Sequence, residues 1–218
     1  MNAPTRGVAA ESRRECVTWA IAEAPHPNER ESGDRYVCQP CAKGVLIAAV
    51  DGMGHGVEAA AASKIAAATL AAHAEESPIA LLLRCHDDLK GTRGAVITTA
   101  FIDFRDQTLT WLGVGNVEAM LFHGGHHAIS KPERALLRNG ILGYRLPSIR
   151  AEILPLKPLD TLVLVTDGIA PDFGDGLIVG DDLQAVADGI LARYYRGADD
   201  ALIVVARYIG GDCERPTA

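Results

Sequence analysis

Gly44-Val45-Leu46-Ile47-Ala48-Ala49-Val50-Asp51-Gly52-Met53-Gly54-His55-Gly56 is an apolar run that ends on a carboxylate and a glycine-spaced turn, and alanine dominates residues 57–74 that follow. Residues 44–50 have the length of one buried strand, whereas the alanine-rich stretch predicts a helix whose small side chains let it lie close to a sheet. Upstream, residues 16–23 alternate apolar and polar positions and residues 34–38 make a brief second strand. Pro25, Pro27 and Gly33 punctuate the gap between them, and residues 40–43 form a tight turn into the apolar run. The chain therefore opens with antiparallel strands. Downstream, Ser77 and Pro78 mark the N-cap and first position of a second helix that runs through Leu89. Residues 95–104, 108–114 and 117–122 are three β-rich runs separated by turns, which predicts a meander. Residues 149–154, 161–166 and 201–208 supply later strands, and residues 181–194 an amphipathic helix with acidic residues in its first turn. Because strands come in groups with helices inserted between the groups, the class is α+β: two packed antiparallel sheets flanked by helices, not a doubly wound parallel sheet.

The chain has 218 residues, 48% of them hydrophobic and 22% charged, enough to bury a core without staples and unlike a disordered segment. One domain over residues 16–210 is expected, between a polar leader (1–15) and a short tail (211–218). A formal net charge of -7 argues against nucleic acid or an anionic membrane as partner. No apolar run reaches the roughly 18 to 20 residues that cross a bilayer, so the expected location is cytoplasmic. Five cysteines form no evident framework and fit free thiols; Cys38-x-x-Cys41 lacks the two further ligands of a zinc site.

A set of aspartates stands at predicted strand ends: Asp34 opens the second strand, Asp51 closes the apolar run, Asp167 follows residues 162–166, and Asp199 and Asp200 precede the last strand. Each alone is an ordinary turn residue. If these strand ends converge, several carboxylates meet at one edge, where like charges raise one another's pKa until a cation neutralises them. Oxygen donors with only His55 close by in sequence favour magnesium or manganese over zinc or copper, and the glycines at 52, 54 and 56 let a backbone carbonyl approach an ion.

With these residues in view, the sequence resembles the metal-dependent PPM family of protein serine/threonine phosphatases, in the small bacterial branch that includes SpoIIE, RsbU and RsbX. Ser32-Gly33-Asp34 resembles the family's first Gly-Asp motif and Val50 to Gly56 its Asp-Gly-x-Gly-His-Gly signature. Thr166-Asp167-Gly168-Ile169 and Asp199-Asp200-Ala201-Leu202 resemble the last two. Order and spacing agree from about residue 16 to 208. The expected lack of a preceding sensor domain, and Gly140-Ile141-Leu142-Gly143 shortly before Pro147, point within the branch to the RsbX type. The resemblance implies a four-layer αββα sandwich with a site for two ions, Mn2+ or Mg2+, at one end. In it Asp51 bridges the ions, the Gly52 carbonyl binds the first, Asp167 and Asp199 bind the second, and Asp34 contacts the first directly or through water. Asp51 and Asp167 are the residues on which catalysis is expected to depend.

Two cations roughly 3.5 to 4 Å apart activate water and stabilise charge on the attacking and leaving oxygens, so no nucleophilic side chain is needed. That agrees with the absence of Gly-x-Ser-x-Gly and Cys-x5-Arg signatures. The substrates the resemblance implies are phosphorylated stress-signalling proteins of the stressosome or anti-sigma-antagonist type. His55 either protonates the leaving oxygen or braces the turn. His123, His126 and His127 fit a solvated loop, and Lys131, Arg134, Arg138, Arg145 and Arg150 form a locally basic segment suited to docking a phosphoprotein. The alternatives are a pseudophosphatase of the same fold that binds without catalysis, and a nucleotide-binding loop at 52–56, which lacks the Lys-Ser/Thr end such a loop needs.

Overall fold

The computed structural model describes residues 16–29, 31–124 and 131–210; the expected leader and tail, and with them His126 and His127, lie outside these. The elements run β1 (Val17–Ala24), β2 (Asp34–Cys41), β3 (Gly44–Gly52), α1 (Val57–Ala72), α2 (Pro78–Asp88), β4 (Ala95–Asp103), β5 (Thr108–Val114) and β6 (Glu118–Phe122). Two short strands follow, β7 (Glu133–Arg134) and β8 (Leu137–Arg138), then β9 (Glu152–Pro155), β10 (Thr161–Val165), a 3-10 turn (Pro171–Gly174), α3 (Leu183–Tyr194) and β11 (Ala201–Tyr208). β7, β8 and the 3-10 turn are too short to carry a periodic signal in the sequence.

One sheet has the order β1-β11-β10-β6-β7; the other has β2-β3-β4-β5-β8, with β9 also paired to β5. Every pairing is antiparallel except β5 with β8. The period-two geometry of a strand divides β3 between two cores. Val45, Ile47 and Ala49 face the space between the sheets, while Leu46, Ala48 and Val50 face α1 and α2. β11 repeats the pattern: Leu202, Val204, Ala206 and Tyr208 enter the inner core, and Ala201, Ile203 and Val205 pack under α3. Three apolar layers inside four layers of secondary structure confirm the αββα sandwich.

The meander expectation needs one correction. β4 and β5 pair as expected, but β6 leaves that sheet and pairs with β10 in the other. The crossing occurs at Gly115, whose φ of 104° only glycine adopts without strain, and a Cβ there would lie 2.2 Å from the Val96 side chain. The hydroxyl of Thr98 donates to the Val117 carbonyl at 2.6 Å and pins the far side of the corner. The thiol expectation is also corrected: Cys38, Cys41 and Cys85 are free, whereas Cys16 is disulfide-bonded. Among the described residues no helix is long and apolar enough to cross a membrane.

Leu164 is fully enclosed between the sheets. Leu164→Ala is expected to cost about 2–5 kcal/mol in urea unfolding, whereas Ile178→Ala, at a position 87% exposed, should stay within about 0.5 kcal/mol of wild type.

Candidate metal centre

The β2–β3 register sets Asp34 directly opposite Asp51, so the first residue of one strand and the penultimate residue of the next deliver two carboxylates side by side. β10 and β11 bring the other pair from the second sheet. Asp167 lies just beyond the C-terminal end of β10, and Asp199 just before β11, whose first residues run alongside that end through the Thr166 N–H to Leu202 carbonyl bond of 3.1 Å. The sheets meet at Thr166. Its buried hydroxyl donates to Asp34 Oδ2 at 2.7 Å and accepts from the Leu202 N–H at 2.8 Å.

Gly52 ends β3 under the start of α1. A Cβ at this position would stand 2.2 Å from the Ala59 carbonyl oxygen, so only glycine lets helix and strand approach this closely. The Gly52 N–H donates to the Gly33 carbonyl at 3.1 Å, which ties the signature turn to the segment leading into Asp34.

Electrostatics show that the five aspartates share one locality. Asp34, 2% exposed, is pushed up to about 8 by burial and by Asp200, Asp167 and Asp199, against the Thr166 hydrogen bond that acts downward. Asp51 lies well above the usual carboxylate range, first through burial and then through Asp34, Asp167, Asp199 and Asp200. Burial and Asp199 also raise Asp167, opposed by the 2.7 Å hydrogen bond from Asn116 Nδ2 and by the nearby Arg196. Among the described residues no three His, Cys, Asp or Glu side chains are already gathered as tightly as the ligands of one ion. An all-oxygen set of this kind suits hard divalent ions.

The adjacent aspartates differ in environment. Asp200 is buried and spends both oxygens on backbone donors, the N–H of His26 at 2.7 Å and of Gly33 at 2.8 Å. Asp199 is half-buried; one of its oxygens accepts the Asp200 N–H at 2.9 Å. The structure thus brings Asp34, Asp51, Gly52, Asp167 and Asp199 to one end of the sandwich, with Asp200 behind them as a strut.

Sequence reading missed Thr166, Asn116, His26 and Glu29. Thr166 had a signal, a hydroxyl between an apolar strand and Asp167; Asn116 had none beyond a turn, because its contact with Asp167 depends on β6 changing sheets. His55 is exposed, with Nδ1 3.0 Å from Glu29 and its ring stacked on His26 at 4.6 Å. In the basic segment, Arg134 is already paired with Glu118 at 3.1 Å.

A family model described as Stage II sporulation protein E (SpoIIE) matches residues 42–209. Phosphoserine phosphatase RsbX of Bacillus subtilis (strain 168) is 22% identical over 176 residues, 80% of this chain and 86% of that protein. A chain from a solved bacterial stressosome, a modular system adapted to control secondary messenger signaling, superposes with a TM-score of 0.78 at 26% identity, covering 88% of this chain and 99% of that one. RsbX in complex with magnesium superposes with a TM-score of 0.79 at 20% identity, covering 90% and 97%. The family match takes in the signature turn and both aspartate motifs of the second sheet, and the solved structures share the two-sheet architecture. The chain belongs to the SpoIIE family, in the RsbX/SpoIIE branch of the PPM-type protein serine/threonine phosphatases.

Proposed function

We propose that this phosphatase uses two divalent cations, Mn2+ or Mg2+, held by Asp34, Asp51, the Gly52 carbonyl, Asp167 and Asp199, to hydrolyse phosphoserine or phosphothreonine on a stress-signalling protein. The observation that carries the proposal is the convergence of mutually repelling carboxylates, Asp34 buried and Asp51, Asp167 and Asp199 half-buried, from both sheets on one edge. When bound, the ions supply an activated water and stabilise charge on the leaving oxygen. The chain's own residues do the rest. Asp51 and Asp34 come from adjoining strands, so their separation is fixed by the ladder itself. Thr166 holds one Asp34 oxygen and leaves the other free to face an ion or its water. Asn116 orients Asp167 in the same way. Asp200, committed to backbone donors, holds the chain that carries Gly33 and Asp34, which supports Asp199 as the ligand of the pair. The substrate class rests on the relatives: one is a phosphoserine phosphatase and another comes from a stressosome.

Phosphate release from a phosphoserine protein should require manganese or magnesium and stop with chelator. Asp51→Asn and Asp167→Asn should each lower kcat/KM by about 100-fold or more, or about 2.7 kcal/mol of transition-state stabilisation. Turnover that survives chelation and both substitutions removes the two-cation reading; cation binding without turnover in wild type leaves a chain that only binds its partner.

The carboxyl shifts give a second expectation. An acid whose pKa is raised by folding keeps protons that the unfolded chain releases, so it destabilises the fold as pH rises from the unfolded value near 4 to the folded value. For Asp34 that window closes at about 8. In thermal melts the cation-free protein should therefore lose stability between about pH 4 and pH 8, and less so as Asp34→Asn. Added magnesium or manganese should raise Tm more at pH 8 than at pH 5, because the ions bind deprotonated carboxylates.

A further inference from the structure

Arg196 stands beside the aspartate cluster with no ion-pair partner among the described residues. The chain is anchored at this residue and at the one before it. The Arg196 N–H donates to the carbonyl of Gly168, next to Asp167, at 2.9 Å. The preceding residue, Tyr195, shares its hydroxyl proton between the carbonyls of Asp199 at 3.1 Å and Pro25 at 3.3 Å. The exposed Arg196 side chain thus springs from a fixed position between the two aspartates of the second sheet, and its charge reaches Asp167. It also lines a cavity of about 510 Å³ together with Ala170, Asp172, Asp175, Arg193, Tyr194 and Tyr195, so an open space adjoins Arg196 on this side.

Four other basic side chains are engaged, whereas Arg138, whose carbonyl accepts the Gly115 N–H beside Asn116, has no partner for its Nε among the described residues. Arg93 comes within reach of the signature turn, where a Cβ on Gly54 would be 3.0 Å from its Nη1, but it is paired with Glu58. Arg35 is bound to Glu31 at 2.7 Å, and Arg134 to Glu118 at 3.1 Å. Arg193, in the same cavity as Arg196, lies over the Tyr194 ring at 5.3 Å.

Charge makes a free cation at this place significant. Asp34, Asp51, Asp167, Asp199 and Asp200 outweigh two divalent ions before a substrate arrives, and a phosphate monoester then adds close to two further negative charges. Without another positive group, the edge repels the phosphate it must admit. A guanidinium offers paired N–H donors that match two phosphate oxygens at once, which a lysine ammonium does not. We propose that Arg196 is a substrate-binding residue that grips the non-bridging oxygens of the phosphate while the phosphorylated side chain enters from the cavity. This rests on the phosphatase reading of the same edge.

The test compares wild type with Arg196→Ala, Arg196→Lys and, as a control in the same cavity, Arg193→Ala. Inorganic phosphate is titrated into the magnesium-loaded chain by calorimetry, and turnover is measured on a phosphoserine peptide and on a small aryl phosphate. Arg196→Ala should weaken phosphate binding by about 10-fold and raise KM for both substrates by a similar factor. Arg196→Lys should recover part of the loss. Arg193→Ala should leave phosphate binding unchanged, and neither it nor Arg196→Lys, which keeps the positive charge near Asp167, should shift Tm or the magnesium concentration for half-saturation. Unchanged phosphate binding in Arg196→Ala overturns the assignment, and so does a KM effect confined to the peptide, which would mean contact with the polypeptide instead of the phosphate. Absence of wild-type turnover would count against the phosphatase reading, while the calorimetric comparison still decides whether Arg196 holds phosphate.

Discussion

Repulsion among aspartates delivered from two different sheets is the constraint on which the rest of this architecture depends. Asp34 and Asp51 arrive on β2 and β3, Asp167 and Asp199 at the ends of β10 and β11. Holding them together without a cation costs folding energy, visible in the raised pKa values, and the surrounding polar contacts limit that cost. Thr166 joins the two groups by donating to Asp34 from one sheet while accepting from Leu202 in the other strand of its own. Asn116 supports Asp167, and Asp200 gathers the chain between β1 and β2 by taking the N–H groups of His26 and Gly33. Each contact places a donor on a carboxylate or on the backbone carrying one.

Much of the fold was legible in sequence because its strands are long and strongly apolar. β3 and β11 are buried on both faces, so each appears as an unbroken hydrophobic run, and α1 is marked by alanine density. The edges were harder. β7 and β8 have two residues each and pair through the backbone, which leaves no periodicity to detect. β9 begins at Glu152 instead of near residue 149 because only residues 152–155 face β5.

The site divides along the same line. The aspartates could be read because each follows or precedes a strand that sequence reveals, and the glycine-rich turn after Asp51 is distinctive. Their supports could not. Thr166, Asn116 and His26 act through hydrogen bonds or stacking with residues distant along the chain, and such partners are set by topology. The role of Asn116 in particular requires β6 to leave its neighbours β4 and β5, an event decided by one glycine and the crowding at Val96.

The connection between β1 and β2 crosses from one sheet to the other, and Asp200 fastens both of its ends. Any sliding of the sheets past each other therefore stretches or slackens the spacing of the oxygen donors. Carboxylate spacing and inter-sheet packing are for that reason one mechanical system: a change in side-chain volume at Trp111 or Leu164, in the layer between the sheets, is passed to the sandwich end as a change in how the aspartates are spaced.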